Sequence, residues 1–326
     1  MKKVLITGGN GYFGSQIVKQ LLNEKYSVFV IDGFYSGNNN LIKLKSDNLK
    51  IFNLNLIQFD KINNYFKQYQ FDTVIHCASL VGEEACLKNK SIAKKINLEL
   101  TKKIFQASTK YNVKHFIYTS TCSNYGVVKD KFLKENQKLT ATGLYSKYKI
   151  LSEKYIRSNK SSKTKVTIFR FGTLYGASLR TRFDLLINDM VLSFFKNKKI
   201  DIYSPLSWRP YLHIYDASRS ILIVIKKQKK MFDIYNLCSM NILKIKLVKR
   251  IFKYIKRGGF NIIHNKLGQR DYKVDSSKFI NSYKFKFKYD LKKSINELIK
   301  FIKKEKLSLK KAKKIKYISN YNINLN

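Results

Sequence analysis

The stretch Lys3-Val-Leu-Ile-Thr-Gly-Gly-Asn-Gly-Tyr-Phe-Gly14 constrains the rest of the chain more than any other. Val4, Leu5 and Ile6 make an apolar run of strand length, and the chain then turns on glycine. Gly8, Gly11 and Gly14 are spaced GxxGxxG, and Gly9, Gly11 and Gly14 also satisfy GxGxxG. Such glycines supply a tight turn, close approach of a pyrophosphate to the backbone, and close helix–strand packing. From Tyr12 the apolar spacing turns helical, with Phe13, Ile17, Val18, Leu21 and Leu22 on one face. The start of that helix aims free N–H groups at a phosphate. A second strand, Ser27-Val-Phe-Val-Ile-Asp32, ends on an acid placed to read a ribose 2′-hydroxyl. Strand, glycines, helix, strand and acid in this order predict a dinucleotide site, and the acid repels a 2′-phosphate, so NAD is expected over NADP.

The alternation continues. Strands are predicted at Lys50–Leu54, Asp72–Ala78, His115–Ser120 and Val166–Arg170, with helices near Phe59–Tyr69, Ser91–Tyr111 and from Leu144. This implies an α/β fold with a Rossmann-type, doubly wound parallel sheet. Beyond Gly176 the alternation breaks down, and helices are expected near Phe183–Lys196, Ile242–Tyr254 and Leu291–Lys304. Residues 1–176 read as the NAD-binding domain, with returns to the sheet at Arg209–Ala217 and Tyr235–Cys238. Residues 177–306 read as a smaller, interleaved substrate-binding region, and 307–326 as a basic tail.

A chain of 326 residues can bury a sizeable core. It opens directly on strand and phosphate loop, so no signal peptide is expected, and no apolar run reaches the ~18 residues that cross a bilayer. Cys77, Cys86, Cys122 and Cys238 lack CxxC spacing and the four histidines form no metal motif, so free thiols in a cytoplasmic protein without a metal are expected. The net charge of +44 is a formal attraction for nucleic acid. Lysine is scattered throughout and no nucleic-acid motif accompanies it, so the charge reads as a compositional bias over solvated faces. Arginine is scarcer: nine, none before Arg157, among 65 basic residues. Its planar fork binds phosphate in a way lysine cannot copy.

Tyr145-Ser-Lys-Tyr-Lys149 contains YxxxK, which puts both side chains on one helical face. A phenol acting as base near pH 7 needs its pKa lowered by about 3 units, and a neighbouring ammonium and an oxidised nicotinamide favour the phenolate. Tyr125/Lys129 and Tyr289/Lys293 have the same spacing, but only Tyr145 opens a helix after the hydroxyl-rich strand end Thr119-Ser-Thr-Cys-Ser123.

With these motifs the chain resembles the extended short-chain dehydrogenase/reductases that act on nucleotide sugars. The resemblance rests on Thr7–Gly14, Asp32, Ser120-Thr-Cys-Ser-Asn-Tyr-Gly126 and Tyr145/Lys149. Further along it rests on Arg170-Phe-Gly-Thr-Leu-Tyr-Gly176, Trp208-Arg-Pro-Tyr-Leu-His213 and Gln269-Arg-Asp-Tyr-Lys273. It implies Tyr145 as base, Lys149 as its electrostatic partner and ribose ligand, and Thr121 as the hydroxyl that bonds the reacting sugar oxygen. It implies NAD contacts from Gly8, Gly11, Tyr12, Phe13, Gly14, Asp32, Asn55, Leu56, Ala78, Ser79, Asn97 and Ser120. For a nucleoside-diphosphate sugar it implies Arg209 and Arg270 as a diphosphate clamp with Asn188 beside it, while Arg180 and Arg182 are candidates for phosphate or sugar, a surface role for at least one of them being the alternative. A homodimer through helices of the nucleotide domain is implied as well.

Departures narrow the reading. Asn55 stands where many members carry an aspartate near the adenine, and Thr173 replaces an asparagine of the UDP-galactose 4-epimerases. Leu80–Cys86 and Leu179–Leu185 resemble a sub-branch that includes sugar-nucleotide 4-dehydrogenases. Cys122 and Ser123 occupy the places of the Asp-Glu pair of 4,6-dehydratases, and neither protonates a leaving hydroxyl well. The reaction that the resemblance implies is C4 epimerisation, and the same residues would serve a single oxidation or reduction at C4. A 4-dehydrogenase or ketoreductase is the first alternative, and a non-catalytic RNA-binding protein on the same fold the second. His76, His115 and His213 read as structural, and Glu83-Glu84 as a loop feature.

Overall fold

The computed structural model describes residues 1–35, 37, 39–263 and 270–308. The first half runs β1 (Lys3–Thr7), α1 (Tyr12–Asn23), β2 (Ser27–Asp32), β3 (Leu49–Asn53), α2 (Phe59–Tyr69), β4 (Thr73–His76), α3 (Glu83–Lys88), α4 (Lys90–Lys94), α5 (Leu100–Lys110) and β5 (His115–Thr121). It continues with β6 (Val127–Leu133), α6 (Leu144–Ser158), β7 (Lys165–Phe171), β8 (Thr173–Tyr175), α7 (Leu186–Phe195), β9 (Lys199–Tyr203), β10 (Trp208–His213) and α8 (Ile214–Lys227). The last elements are β11 (Phe232–Leu237), β12 (Met240–Leu243), α9 (Lys244–Ile255), β13 (Gly259–Ile263), β14 (Asp271–Val274), α10 (Ser277–Tyr283) and α11 (Leu291–Lys304).

Seven strands form one sheet in the order β11-β7-β5-β4-β1-β2-β3, and every pairing is parallel. Both faces are covered, so the strands read as nearly continuous apolar runs rather than as half-polar alternation. On one face Leu5, Phe29, Val74, Phe116 and Ile168 pack with Ile62 and Phe66 of α2 and Ile104 and Phe105 of α5. On the other, Val4, Ile6, Val28, Val30, Ile75, Ile117 and Phe169 meet Ile17, Val18 and Leu21 of α1 and Ala217 and Ile221 of α8. From β1 the chain builds β2 and β3 to one side, then crosses to β4 on the other. The ends of β1 and β4 therefore part at the topological switch point, where open α/β sheets form a ligand crevice.

The sheet return expected at Arg209–Ala217 is not found. Trp208–His213 lies in a separate three-stranded sheet, parallel to β8 and antiparallel to β12, and Ile214 already opens α8. The run Lys165–Tyr175 divides at Gly172, whose N–H donates to Leu237. Its second half, β8, leaves the main sheet and carries β10 with it. Strand patterning specifies an extended segment but not its partner. The later return does occur, with Phe232–Leu237 at the sheet edge against β7. A third core, with Phe183, Ile187, Met190, Leu247, Ile251, Ile295 and Leu298, joins α7, α9 and α11. Leu307, assigned from sequence to the tail, is buried in that core. The lysine cluster at 310–316 lies outside the described residues.

The long helix expected over Ser91–Tyr111 is interrupted by a π turn at Lys95–Glu99. The carbonyl of Asn97 in that turn accepts from the hydroxyls of Thr101 and of Ser152 on α6, at 3.2 and 2.9 Å. Single π turns of this kind accompany functional sites. Among the described residues no helix is long and apolar enough to cross a membrane, and no group of three His, Cys, Asp or Glu could hold a metal ion. All four cysteines are free thiols.

Candidate active site

A cavity of about 560 Å³ opens at the switch point. Its floor is the phosphate loop. Gly8 has φ +73°, and a Cβ there would lie 2.7 Å from the Ala78 backbone at the end of β4. A Cβ on Gly14 would lie 2.1 Å from the Gly8 carbonyl, so α1 can approach the loop only because this residue is glycine. Gly11 caps α1 without a side chain and no acid stands in its first turn, which leaves the helix start suited to an anion. At the end of β2 both carboxylate oxygens of Asp32 are aimed by backbone donors, Asn10 N–H at 2.9 Å and Phe34 N–H at 2.8 Å. Burial pushes the Asp32 carboxyl above its ordinary pKa, opposed by those two N–H groups and by the charge of Arg180. A glycine cradle, an uncapped helix start and an oriented acid fit a dinucleotide.

The cavity brings together Gly8, Gly11, Tyr12, Phe13, Gly14, Asp32, Leu56, Ala78, Ser79, Ser120, Thr121, Tyr145, Lys149, Arg180, Arg182, Arg209 and Arg270 of the expected set. Three expected ligands stand behind its wall. Asn55 Oδ1 accepts from the Tyr35 hydroxyl at 2.5 Å and from Ile57 N–H at 3.1 Å. Asn97 Oδ1 accepts from Leu80 N–H and Ser79 Oγ at 2.7 and 2.9 Å, and its amide donates to the Leu80 carbonyl. Asn188 Oδ1 accepts from Gly176 N–H, while its amide donates to the Arg182 carbonyl at 2.8 Å. Each side-chain oxygen helps to hold a loop of the wall, and none of the three is among the residues that line the cavity. Gln269 of the downstream motif lies outside the described residues.

Tyr145 and Lys149 project from the first turns of α6. Lys149 is almost wholly buried, and its ammonium donates to the Thr119 carbonyl at 2.9 Å. It lies 5.8 Å from the Tyr145 ring centroid and 4.7 Å from that of Tyr118. Burial pushes Lys149 down to about 8, against the raising influence of Cys77 and Glu153. The Tyr145 phenol is not lowered by the protein. Burial raises it above its ordinary value, helped by Cys86, and the Arg182 and Arg270 charges and a bond from Ser79 offset only part of this. In the cofactor-free protein, desolvation of phenolate thus outweighs the charges the chain supplies. Thr121 Oγ accepts from Ser123 N–H and lies 3.0 Å from Ser123 Oγ. Beneath it, Glu153 pairs with Arg170 at 2.7 Å and accepts from Ser120 Oγ at 2.5 Å.

Arg209, Arg270 and Lys244 converge on one wall. Burial, then the charge of Arg270, push Arg209 below its ordinary value. Burial and both arginines push Lys244 down to about 8. Cations that depress one another suit an anionic ligand. Sequence reading missed Lys244, whose only signal was its place as first residue of α9, where a positive charge opposes the helix dipole. Arg182 is paired with Asp184, also on the cavity wall. His76 bridges the Thr7 and Thr101 hydroxyls and His115 bonds Thr167, both pushed to about 3 by burial. His213 stacks on Tyr289 and lies 2.9 Å from Glu297. These three serve the framework.

Comparison with known proteins agrees with this geometry. UDP-glucose 4-epimerase of Bacillus subtilis is 28% identical over 182 residues, which cover 53% of each chain. dTDP-D-glucose 4,6-dehydratase of Dictyostelium discoideum is 28% identical over 255 residues, 73% of this chain and 58% of the relative. The chain thus spans little more than half the length of these curated relatives. The crystal structure of UDP-glucose 4-epimerase from Thermotoga maritima with UDP-glucose has the same fold, with a TM-score of 0.83 at 19% identity over 94% of this chain and 100% of that one. A model of the NAD dependent epimerase/dehydratase family matches residues 4–238. With the glycine loop, Asp32 and the Tyr145/Lys149 pair inside the matched span, the chain belongs to the NAD-dependent epimerase/dehydratase family.

Proposed function

We propose that the protein is an NAD-dependent epimerase of a nucleoside-diphosphate sugar, acting at the sugar C4 hydroxyl. The observation that carries the reading is one cavity joining the glycine cradle and Asp32 to Thr121, Tyr145 and Lys149, and these to an anion wall of Arg209, Arg270 and Lys244. Bound NAD supplies the hydride acceptor and donor, together with a positive ring that favours the Tyr145 phenolate. Tyr145 takes the proton of the C4 hydroxyl and returns it to the 4-keto sugar. Thr121 Oγ orients the sugar oxygen, and Lys149 keeps a positive charge beneath the phenol. The anion wall holds the diphosphate while the keto sugar presents its other face.

A 4,6-dehydratase is disfavoured by the residues that follow Thr121. Cys122 Sγ donates to the Arg170 carbonyl at 3.0 Å, and burial holds the thiol well above its ordinary pKa. Ser123 is buried too. Neither side chain provides the acid and base that water elimination requires. A 4-dehydrogenase or ketoreductase, which stops after one transfer, uses the same residues. In this reading the protein is a homodimer through the adjacent helices α5 and α6, where Leu151 is exposed on α6.

Proton NMR of UDP-, GDP-, dTDP- and CDP-sugars incubated with protein and NAD tests the reading. A C4 epimer without net NADH supports epimerisation, and a keto sugar with stoichiometric NADH replaces it by the dehydrogenase. Tyr145→Phe is expected to abolish conversion while NAD still binds. Retained turnover in that variant removes Tyr145 from the mechanism.

A further inference from the structure

We propose that Glu83 is a positioning residue for Tyr145, acting from α3 as the cap of the catalytic helix. Its carboxylate straddles the start of α6, with Oε1 accepting from Leu144 N–H at 2.7 Å and Oε2 from Tyr145 N–H at 3.2 Å. Helix α6 has no cap of its own. Its N-cap is Gly143, no acid stands in its first turn, and Lys147 places a positive charge there instead. Two orphan N–H groups and a positive dipole end therefore depend on an acid some 60 residues earlier in sequence.

The local sequence is built around this contact. A Cβ on Gly143 would lie 2.1 Å from Glu83 Oε2 and 2.2 Å from its Cδ, so glycine is what admits the carboxylate. Gly82, with φ +104°, turns the chain so that Glu83 leaves the cavity wall and faces the helix. Leu144, Tyr145 and Tyr148 pack over Leu80, Ala85, Cys86 and Ala93, which seals the contact from one side. The segment that follows β4 thus holds Tyr145 by its backbone through Glu83, and Ser79 of the same segment lies beside the phenol and lowers it in part. Ser79 is in turn fixed by Asn97 at 2.9 Å. The placement of Tyr145 is thereby tied to a segment whose residues Ser79–Gly82 also line the cavity.

The inference rests on the catalytic role of Tyr145, and its test separates the two. Amide hydrogen exchange in the full-length protein reads the anchor directly. Glu83→Gln keeps the size but can accept only one of the two N–H groups, and Gly143→Ala expels the carboxylate without altering it. Both variants are expected to speed exchange at Leu144 and Tyr145 by about tenfold, with residues 150–158 unchanged. Turnover of whichever of UDP-, GDP-, dTDP- and CDP-glucose the wild type converts is expected to lose about tenfold or more in kcat. KM and NAD affinity should stay within about threefold, because misplacement of a reacting group affects the chemical step. The double variant should be no worse than either single one, since both remove one contact. Glu83→Asp should recover part of the rate. Unchanged exchange in both single variants overturns the anchor, and unchanged kcat overturns its positioning role. If the wild type converts none of the four sugars, the catalytic reading fails while exchange at Leu144 and Tyr145 still decides the contact.

Discussion

Lys149→Met is expected to make the cofactor-free protein more stable at pH 7 while removing its activity. The ammonium is buried with a single hydrogen bond, to Thr119, and burial lowers it to about 8. The unfolded chain binds that proton with an ordinary lysine pKa near 10.4. The unfolded state therefore holds more protons between about pH 8 and 10.4, and stability rises with pH across that window. Below about 8 the full cost of burying the charge is present, and the distance from the ordinary value to about 8 is worth about 3 kcal/mol. Methionine fills a similar volume without the charge but forgoes the bond to Thr119, a net loss of about 1 kcal/mol. The variant should gain about 2 kcal/mol at pH 7, and the gain should vanish and reverse toward pH 10.4. Urea unfolding at a series of pH values, without NAD, reads the difference from the midpoints at constant m. A variant less stable than wild type at pH 7, with a difference that does not move with pH, refutes the reasoning. It would mean that the surrounding acids and rings already compensate the charge in full.

Three further outcomes follow from the cavity. Gly14→Ala should displace the phosphate loop, because its Cβ falls 2.1 Å from the Gly8 carbonyl; a loss of about 1–3 kcal/mol in urea unfolding and weaker NAD binding by titration are expected. Binding of UDP should take up a fraction of a proton near pH 8 and weaken above it, because Lys244 titrates at about 8 in the free protein and its ligand favours the charged form. Calorimetry in two buffers of different ionisation enthalpy measures that uptake, and equal heats after correction would remove Lys244 from the anion wall. Asp32→Ala should narrow the preference for NAD over NADP if the carboxylate meets the ribose as proposed, read from the two dissociation constants.

The glycine loop, Asp32 and the Tyr145/Lys149 pair were legible because each is a local device. A turn that admits only glycine, an acid at a strand end and two residues one helical turn apart all leave a mark at fixed spacing. The central sheet was legible for the same reason, since strands buried on both faces write continuous apolar runs. The tertiary structure decided what spacing cannot carry. It moved Trp208–His213 out of the main sheet, because patterning makes a strand without choosing its partner. It engaged the side chains of Asn55, Asn97 and Asn188 with backbone groups of the loops around the cavity, contacts that strand and helix spacing does not mark. It sets the Tyr145 phenol of the cofactor-free protein above its ordinary value, because desolvation depends on everything packed around the ring. Lys244 and Glu83 gained their partners only through folding. In sequence one is a lysine among many and the other half of an acidic pair; in space one joins Arg209 and Arg270 on the cavity wall and the other bonds the start of the helix that carries Tyr145.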